Sequence, residues 1–267
     1  MARISPPEAG GREVQIVTGR ERIIATLEHR EPDRLAMDFA GTDCSSLHAM
    51  ANQNLRKTLK IEPRAIRIAC LTQQVVEPDV EIQNHFGGDA VALYFHPKQW
   101  RRWDSGYGME AEVPAMWRPE PQADGSCVVR GRDGAVVSRR PKDGYYFDPV
   151  RFPLADVTSP AELSAHAAVF ERWDWPAVMD ESLAEYGARA QKLYESTDRA
   201  VVGSWRMHYL QAGQLMRGYE QFMVDLLTDE PLVRGILDRL HTVYMERARR
   251  LLEALGPWCD VVFFTDD

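Results

Sequence analysis

The strongest constraint on this chain is a set of four short apolar runs separated by longer stretches with helical punctuation: Leu35–Phe39 within RLAMDFAGT, then DAVALYF, AVVGSWR and DVVFFTDD. Runs that are apolar at successive positions, rather than alternate ones, suit strands covered on both faces. Strands of that kind joined by helices become parallel neighbours, because a parallel pair needs a crossover that a tight turn cannot supply. The predicted class is therefore α/β with a parallel sheet.

Helix signals fill the gaps. Thr18 and Glu21 stand at the spacing of a capping box, with Ile23, Ile24 and Leu27 giving an apolar face and Pro32 the stop. SSLHAMANQNLRKTL sets Leu47, Met50, Leu55 and Leu59 on one side, and PDVEIQNHFGG reads as a further short helix. TSPAEL marks a helix start with proline in the first turn. A long amphipathic helix is predicted from about Pro176 to Ser196. GQLMRGYEQFMVDLL and EPLVRGILDRLHTVYMERARRLLEAL read as two more, the second stopped by Gly256-Pro257.

Residues from about 96 to 150 break this rhythm. They are rich in Trp, Pro and Gly, and SCVVRGRDGAVVSRR sets two β-branched runs around an Asp-Gly turn, a hairpin signature. The segment reads as an excursion from the main sheet. Residues 1–17, with Pro6-Pro7 and Gly10-Gly11, read as a flexible leader before one domain spanning 18–267.

The last apolar run, VVFFT, carries none of the charges, breaks or bulges that protect an exposed sheet edge. A (βα)8 TIM barrel present as roughly its N-terminal half, cut after the fourth strand, accounts for that run and for the lack of a helix after it. A complete open sheet is the alternative. A half-barrel exposing its last strand would aggregate or pair with a second copy, so a homodimer is one expected state.

With 267 residues, 45% of them hydrophobic, the chain can bury a sizeable core. Its formal charge of −8 argues against a nucleic-acid partner, and the pairs Arg101-Arg102 and Arg139-Arg140 read as solvated loop faces. No apolar run approaches a membrane span and the first residues lack a signal-peptide core, so a cytoplasmic location without membrane contact is expected. Cys44, Cys70, Cys127 and Cys259 lie far apart with no C-x-x-C spacing, which points to reduced thiols rather than a disulfide framework or a zinc knuckle.

In α/β architectures functional groups gather at the C-terminal ends of the strands. That rule selects Asp38 with Gly41-Thr42, then His96, the GSWRMH segment, and Asp266-Asp267. Asp266 and Asp267 could serve as base, metal ligands or ligand-orienting acids, or cap a helix. His96, just before Pro97, could act as acid or base near neutral pH. Arg206 and His208 are either site residues or solvated loop, Trp205 reads as pocket wall or core, and Asp38 as ligand contact or buried hydrogen-bonding group. His29, His48, His85, His166 and His241 fall in predicted helices, where structural roles are expected. The chain holds no phosphate loop, H-E-x-x-H, G-x-S-x-G or G-x-G-x-x-G. Spacing alone thus marks a pocket position without a reaction.

RERIIATLEHREPDRLAMDFAGT, PLADVTSPAEL, RAVVGSW followed by QLMRGYEQFMVDLLTDEP, and CDVVFFTDD together resemble the uroporphyrinogen decarboxylase superfamily, in particular its branch of corrinoid-dependent methyltransferases. The resemblance spans about Thr18 to Asp267 except the excursion. It implies a (βα)8 barrel whose last motif continues as Asp-Asp-Leu-Gly. It also implies zinc held by a His-x-Cys pair and a later Cys beyond residue 267, a corrinoid protein as partner, and a small methylated substrate. No metal ligand is assigned within the chain itself. The family's decarboxylase aspartate aligns with His96, and its tyrosine after the third strand aligns near Gln214, which makes Gln214 a candidate substrate contact. DFAGTDCSS stands where true decarboxylases carry Arg-Gln-Ala-Gly-Arg, so the cations that pair with substrate carboxylates are missing there. Methyl transfer is the expected reaction. Decarboxylation of uroporphyrinogen in porphyrin biosynthesis and a non-catalytic ligand-binding or partner-binding role are the alternatives.

Overall fold

The computed structural model describes residues 17–42, 44–104, 110–131, 133–172 and 179–266. The leader expected over 1–17 lies, except for Val17, outside the described residues. From there the chain runs through α1 (Gly19–Leu27), α2 (Ala49–Thr58), β1 (Ile66–Cys70), β2 (Val75–Val76), α3 (Val80–Phe86) and β3 (Ala90–Leu93). The excursion supplies β4 (Trp100–Asp104), β5 (Glu110–Pro114), β6 (Glu120–Pro121), β7 (Cys127–Arg130), β8 (Val136–Arg140) and β9 (Asp148–Pro149). A 3-10 helix (Pro160–His166) leads into α4 (Ala167–Arg172). Then come α5 (Leu183–Ser196), β10 (Ala200–Ser204), α6 (Leu210–Arg217), α7 (Tyr219–Thr228), α8 (Glu230–Leu255) and β11 (Val261–Phe263).

Local rules explain most of these boundaries. The capping box at α1 forms as its spacing predicts: Glu21 N–H donates to Thr18 Oγ1 at 3.1 Å, and Thr18 N–H to the Glu21 carboxylate at 2.8 Å. The hairpin of β7 and β8 turns where the Asp-Gly pair stands, with Gly134 at φ 77°. GQLMRGYEQFMVDLL, predicted as one helix, is two, because Gly218 takes φ 96° between α6 and α7, with the ring of Phe152 packed over it.

Three small sheets result, and they overturn the barrel expectation. One is mixed, in the order β2-β1-β5-β4; one is parallel, in the order β11-β10-β3; one is antiparallel, in the order β6-β7-β8-β9. Among the described residues no sheet closes into a (βα)8 barrel, whole or half. Three of the four apolar runs do form a parallel sheet, with Val91 beside Val201 and Gly203 beside Val262. The fourth, Leu35–Phe39, forms no strand. Its hydrogen bonds are a mixture of backbone and side-chain ones: Asp89 N–H donates to Met37 O at 2.7 Å, Met37 N–H donates to Asp89 Oδ2 at 2.9 Å, and Gln83 Nε2 donates to Phe39 O at 2.9 Å. Asp89, 2% exposed, also receives Arg22 at 2.5 Å and Arg34 at 2.8 Å, so the start of β3 is occupied by an ion cluster.

Strands β3 and β10 of the parallel sheet are buried on both faces, and β11 is half-buried. Val91, Leu93 and Val201 pack on Tyr186, Ala190, Leu251 and Leu255 of α5 and α8. On the other face Ala92 and Tyr94 meet Ala69 of β1. A separate core of Ile66, Ile68, Val113, Trp103, Trp117 and Phe147 holds the excursion, and a third, around Leu163, Met216, Leu232, Ile236 and Leu240, joins α6 and α8 to the 3-10 helix. Among the described residues no helix is long and apolar enough to cross a membrane.

Candidate functional site

A cavity of about 310 Å3 opens at the C-terminal ends of β3 and β10. Its floor is Tyr94 and Phe95 after β3, together with Ser204, Trp205, Arg206 and Met207 at the end of β10. Ala69, Leu71 and Thr72 bring in the end of β1. Trp117, Val129, Ser138 and Phe147 of the excursion form a roof, and Met179, Arg247 and Leu251 close the sides. Such a lining, mostly apolar with a few polar groups, is the usual chemistry of small-molecule sites.

Each wall is held by identifiable contacts. Phe95 stacks on Tyr186 at 4.1 Å between ring centroids, and Tyr186 Oη donates to Leu93 O at 3.1 Å. Arg189 donates to Tyr94 O and is itself fixed by Glu181 at 2.8 Å. Trp205 N–H donates to Phe263 O at 2.9 Å, extending the β10–β11 ladder by one residue. Its indole fits because a Cβ at Gly203 would lie 3.2 Å from Trp205 Nε1. In the roof, Trp117 meets Trp103 and Phe147 edge-on at 4.9 and 5.1 Å, and Phe147 N–H donates to Thr72 O at 2.9 Å.

The candidates read from the sequence disperse around this cavity. Trp205 and Arg206 line it. His96 lies one residue beyond Phe95, outside the lining; its Nε2 contacts Glu77 Oε1 at 2.7 Å, and its N–H donates to Glu181 at 3.0 Å. His208 is tied through its ring to Thr265 O, while its carbonyl accepts from Tyr244 Oη at 2.9 Å. Asp266 accepts the N–H groups of Tyr209, Leu210 and Gln211 at 2.6, 2.7 and 3.1 Å, which makes it the anion at the start of α6. Gln214 lies within α6, its Nε2 3.7 Å from Met223 Sδ. Asp38, itself exposed, accepts from Gly41 N–H at 2.8 Å and Ser45 Oγ at 2.9 Å in a loop whose Ala40 and Thr42 are buried. Gly41 of that loop packs on Ala90, at the opposite end of β3 from the cavity. Asp267 falls outside the described residues.

The residues that sequence reasoning passed over are the rings and the second cation. Tyr94 and Phe95 stood at a strand end beside the chosen His96, a legible signal. Arg247 sits in a helix segment, RARRLLEAL, where nothing marks one arginine among three.

Two guanidiniums, Arg206 and Arg247, are the formal charges of the lining, and no acidic residue stands among the described lining residues. Burial pushes the Tyr186 phenol well above its ordinary range and raises the Cys259 thiol, so both stay protonated at neutral pH. Among the described residues no group of three or more His, Cys, Asp or Glu is placed to hold a metal. Comparison with protein-family models, curated proteins and solved structures returns no match to this chain.

Proposed function

We propose that this chain binds a small, methylated, largely apolar molecule in the cavity at the ends of β3 and β10 and serves enzymatic methyl transfer from it. The observation that carries the reading is the convergence of Tyr94, Phe95, Trp117, Phe147 and Trp205 on one cavity of about 310 Å3. Such rings offer large apolar area in fixed orientations, and a methyl group entering them gains roughly 0.8 kcal/mol over its absence, about fourfold in affinity. Methyl transfer rather than another reaction is supported by the resemblance of the segments around Arg20, Arg199, Gln214 and Cys259 to the methyltransferase branch of the uroporphyrinogen decarboxylase superfamily. A corrinoid protein is the methyl acceptor that reading implies. Porphyrinogen decarboxylation draws less support, since eight substrate carboxylates need more cations than the two arginines of the lining.

The test is a titration with methoxybenzene and phenol, followed by the emission of Trp117 and Trp205. Saturable binding, tighter for the methyl ether and lost when Leu251→Trp fills the cavity, is the expected result. Absence of saturable binding, or equal binding by the filled variant, overturns it.

A further inference from the structure

Resting on that reading of the cavity, we infer that its ligand joins a hydrocarbon body to a hydrogen-bonding oxygen, and that the hydroxyls of Thr72 and Ser138 receive that oxygen. The lining divides in two. Ala69, Phe147 and Leu251 are buried and offer a ligand hydrocarbon alone. Thr72 is exposed and Ser138 half-buried, so that edge of the lining faces solvent. Both residues adjoin one ring: Thr72 O accepts Phe147 N–H at 2.9 Å, and Ser138 of β8 stands opposite Pro149 of β9, two residues after Phe147. The boundary between hydrocarbon and hydroxyl runs along Phe147.

Neither hydroxyl is used to hold the fold. Those of Ser46, Ser126 and Ser182 all bond protein atoms, at 2.9, 2.6 and 2.7 Å. Thr72 Oγ1 and Ser138 Oγ bond none among the described residues. A hydroxyl both donates and accepts, so each can meet an ether, carbonyl or hydroxyl oxygen. A ligand oxygen pushed against the hydrocarbon part would give up its water without replacement, a cost that the Thr72 edge avoids. The ligand therefore enters body first, with its ring or chain against Phe147 and Leu251 and its oxygen at the edge. Its class is a compact hydrocarbon or aromatic body bearing one such oxygen, and Thr72 and Ser138 determine that specificity.

The experiment compares methoxybenzene with ethylbenzene, which has nearly the same shape and no oxygen, by titrating each into the full chain and following tryptophan emission. Losing a neutral hydrogen bond predicts roughly two- to tenfold weaker binding of methoxybenzene by the double variant Thr72→Val/Ser138→Ala. Ethylbenzene makes no such bond, so the same variant should hold it within about twofold of the unaltered chain or more tightly. Thr72→Ser, which keeps a hydroxyl, combined with unaltered Ser138 should retain the methoxybenzene affinity. The thermal transition of each variant confirms that it folds. Equal weakening of both probes in the double variant, or methoxybenzene binding unchanged by it, overturns the oxygen assignment and leaves the cavity reading standing. Failure of both probes to bind the unaltered chain overturns the two together.

Discussion

Asp225→Ala should be among the most damaging single substitutions in the chain, and its cost follows from one buried guanidinium. Arg217 and Asp225 have side chains 6% and 5% exposed and meet at 2.7 Å. Arg217 Nη1 also donates to the carbonyls of Leu154, Ala155 and Val157 at 2.6, 3.0 and 2.7 Å, binding a loop without regular structure to the end of α6. Removing the carboxylate leaves the cation buried against carbonyl dipoles alone. Breaking such a pair from one side costs about 3–5 kcal/mol. With a urea dependence near 3 kcal/mol per molar, the unfolding midpoint should fall by roughly 1–1.7 M. Arg217→Met should cost a similar amount, because it strands Asp225 and the loop carbonyls. The double variant Arg217→Met/Asp225→Leu should cost far less than the sum, since it removes both charges together. Urea denaturation of the four proteins tests this. Additive single costs, or a loss under about 1 kcal/mol for Asp225→Ala, would refute the reasoning.

Three further outcomes are expected. Asp266→Ala should lower stability by about 1 kcal/mol through the start of α6 and leave ligand affinity unchanged; lost affinity at unchanged stability would instead place that carboxylate in the site. Gly187→Ala should destabilise by about 1–2 kcal/mol in thermal unfolding, because its Cβ would lie 2.3 Å from Ala254 O, a backbone atom of α8, and better helix propensity recovers only part of the loss. Burial holds the His48 imidazole below its ordinary 6.5, and its Nδ1 accepts Met50 N–H at 3.1 Å. As pH falls below about 6.5 the unfolded chain takes up the proton first, so stability is complete above that pH and declines below it. His48→Asn, which keeps a cap without titrating, should flatten the decline between pH 7 and 5, and an unchanged slope would sink the assignment.

The sequence was most informative where local chemistry decides the structure. Thr18 and Glu21 cap α1, the Asp-Gly turn makes its hairpin, and Ala200–Ser204 is a buried strand because both its faces are covered. It misled where side chains share the hydrogen bonds that a ladder would make. Leu35–Phe39 has strand composition, yet Met37 bonds both the backbone N–H and the carboxylate of Asp89 while Phe39 O is taken by the Gln83 side chain, and no short-range pattern announces that. Four apolar runs suggest half of a barrel, but three of them form a small parallel sheet and the fourth forms no strand. At the site, the rule that chemistry gathers at strand ends located Trp205 and Arg206, and it stopped one residue beyond Phe95 in choosing His96. The roof was invisible because Trp117 and Phe147 reach the cavity through the excursion's own core.

That division of labour shapes how such a protein can change. The rings over the cavity are anchored in one hydrophobic core and the strand ends beneath it in another. Exchanging a side chain in the hairpins can reshape the space offered to a ligand while the parallel strands keep their register. A substitution in those strands disturbs the helices behind them as well. New ligand preferences should therefore arise by drift in the excursion, and the sheet below should tolerate least.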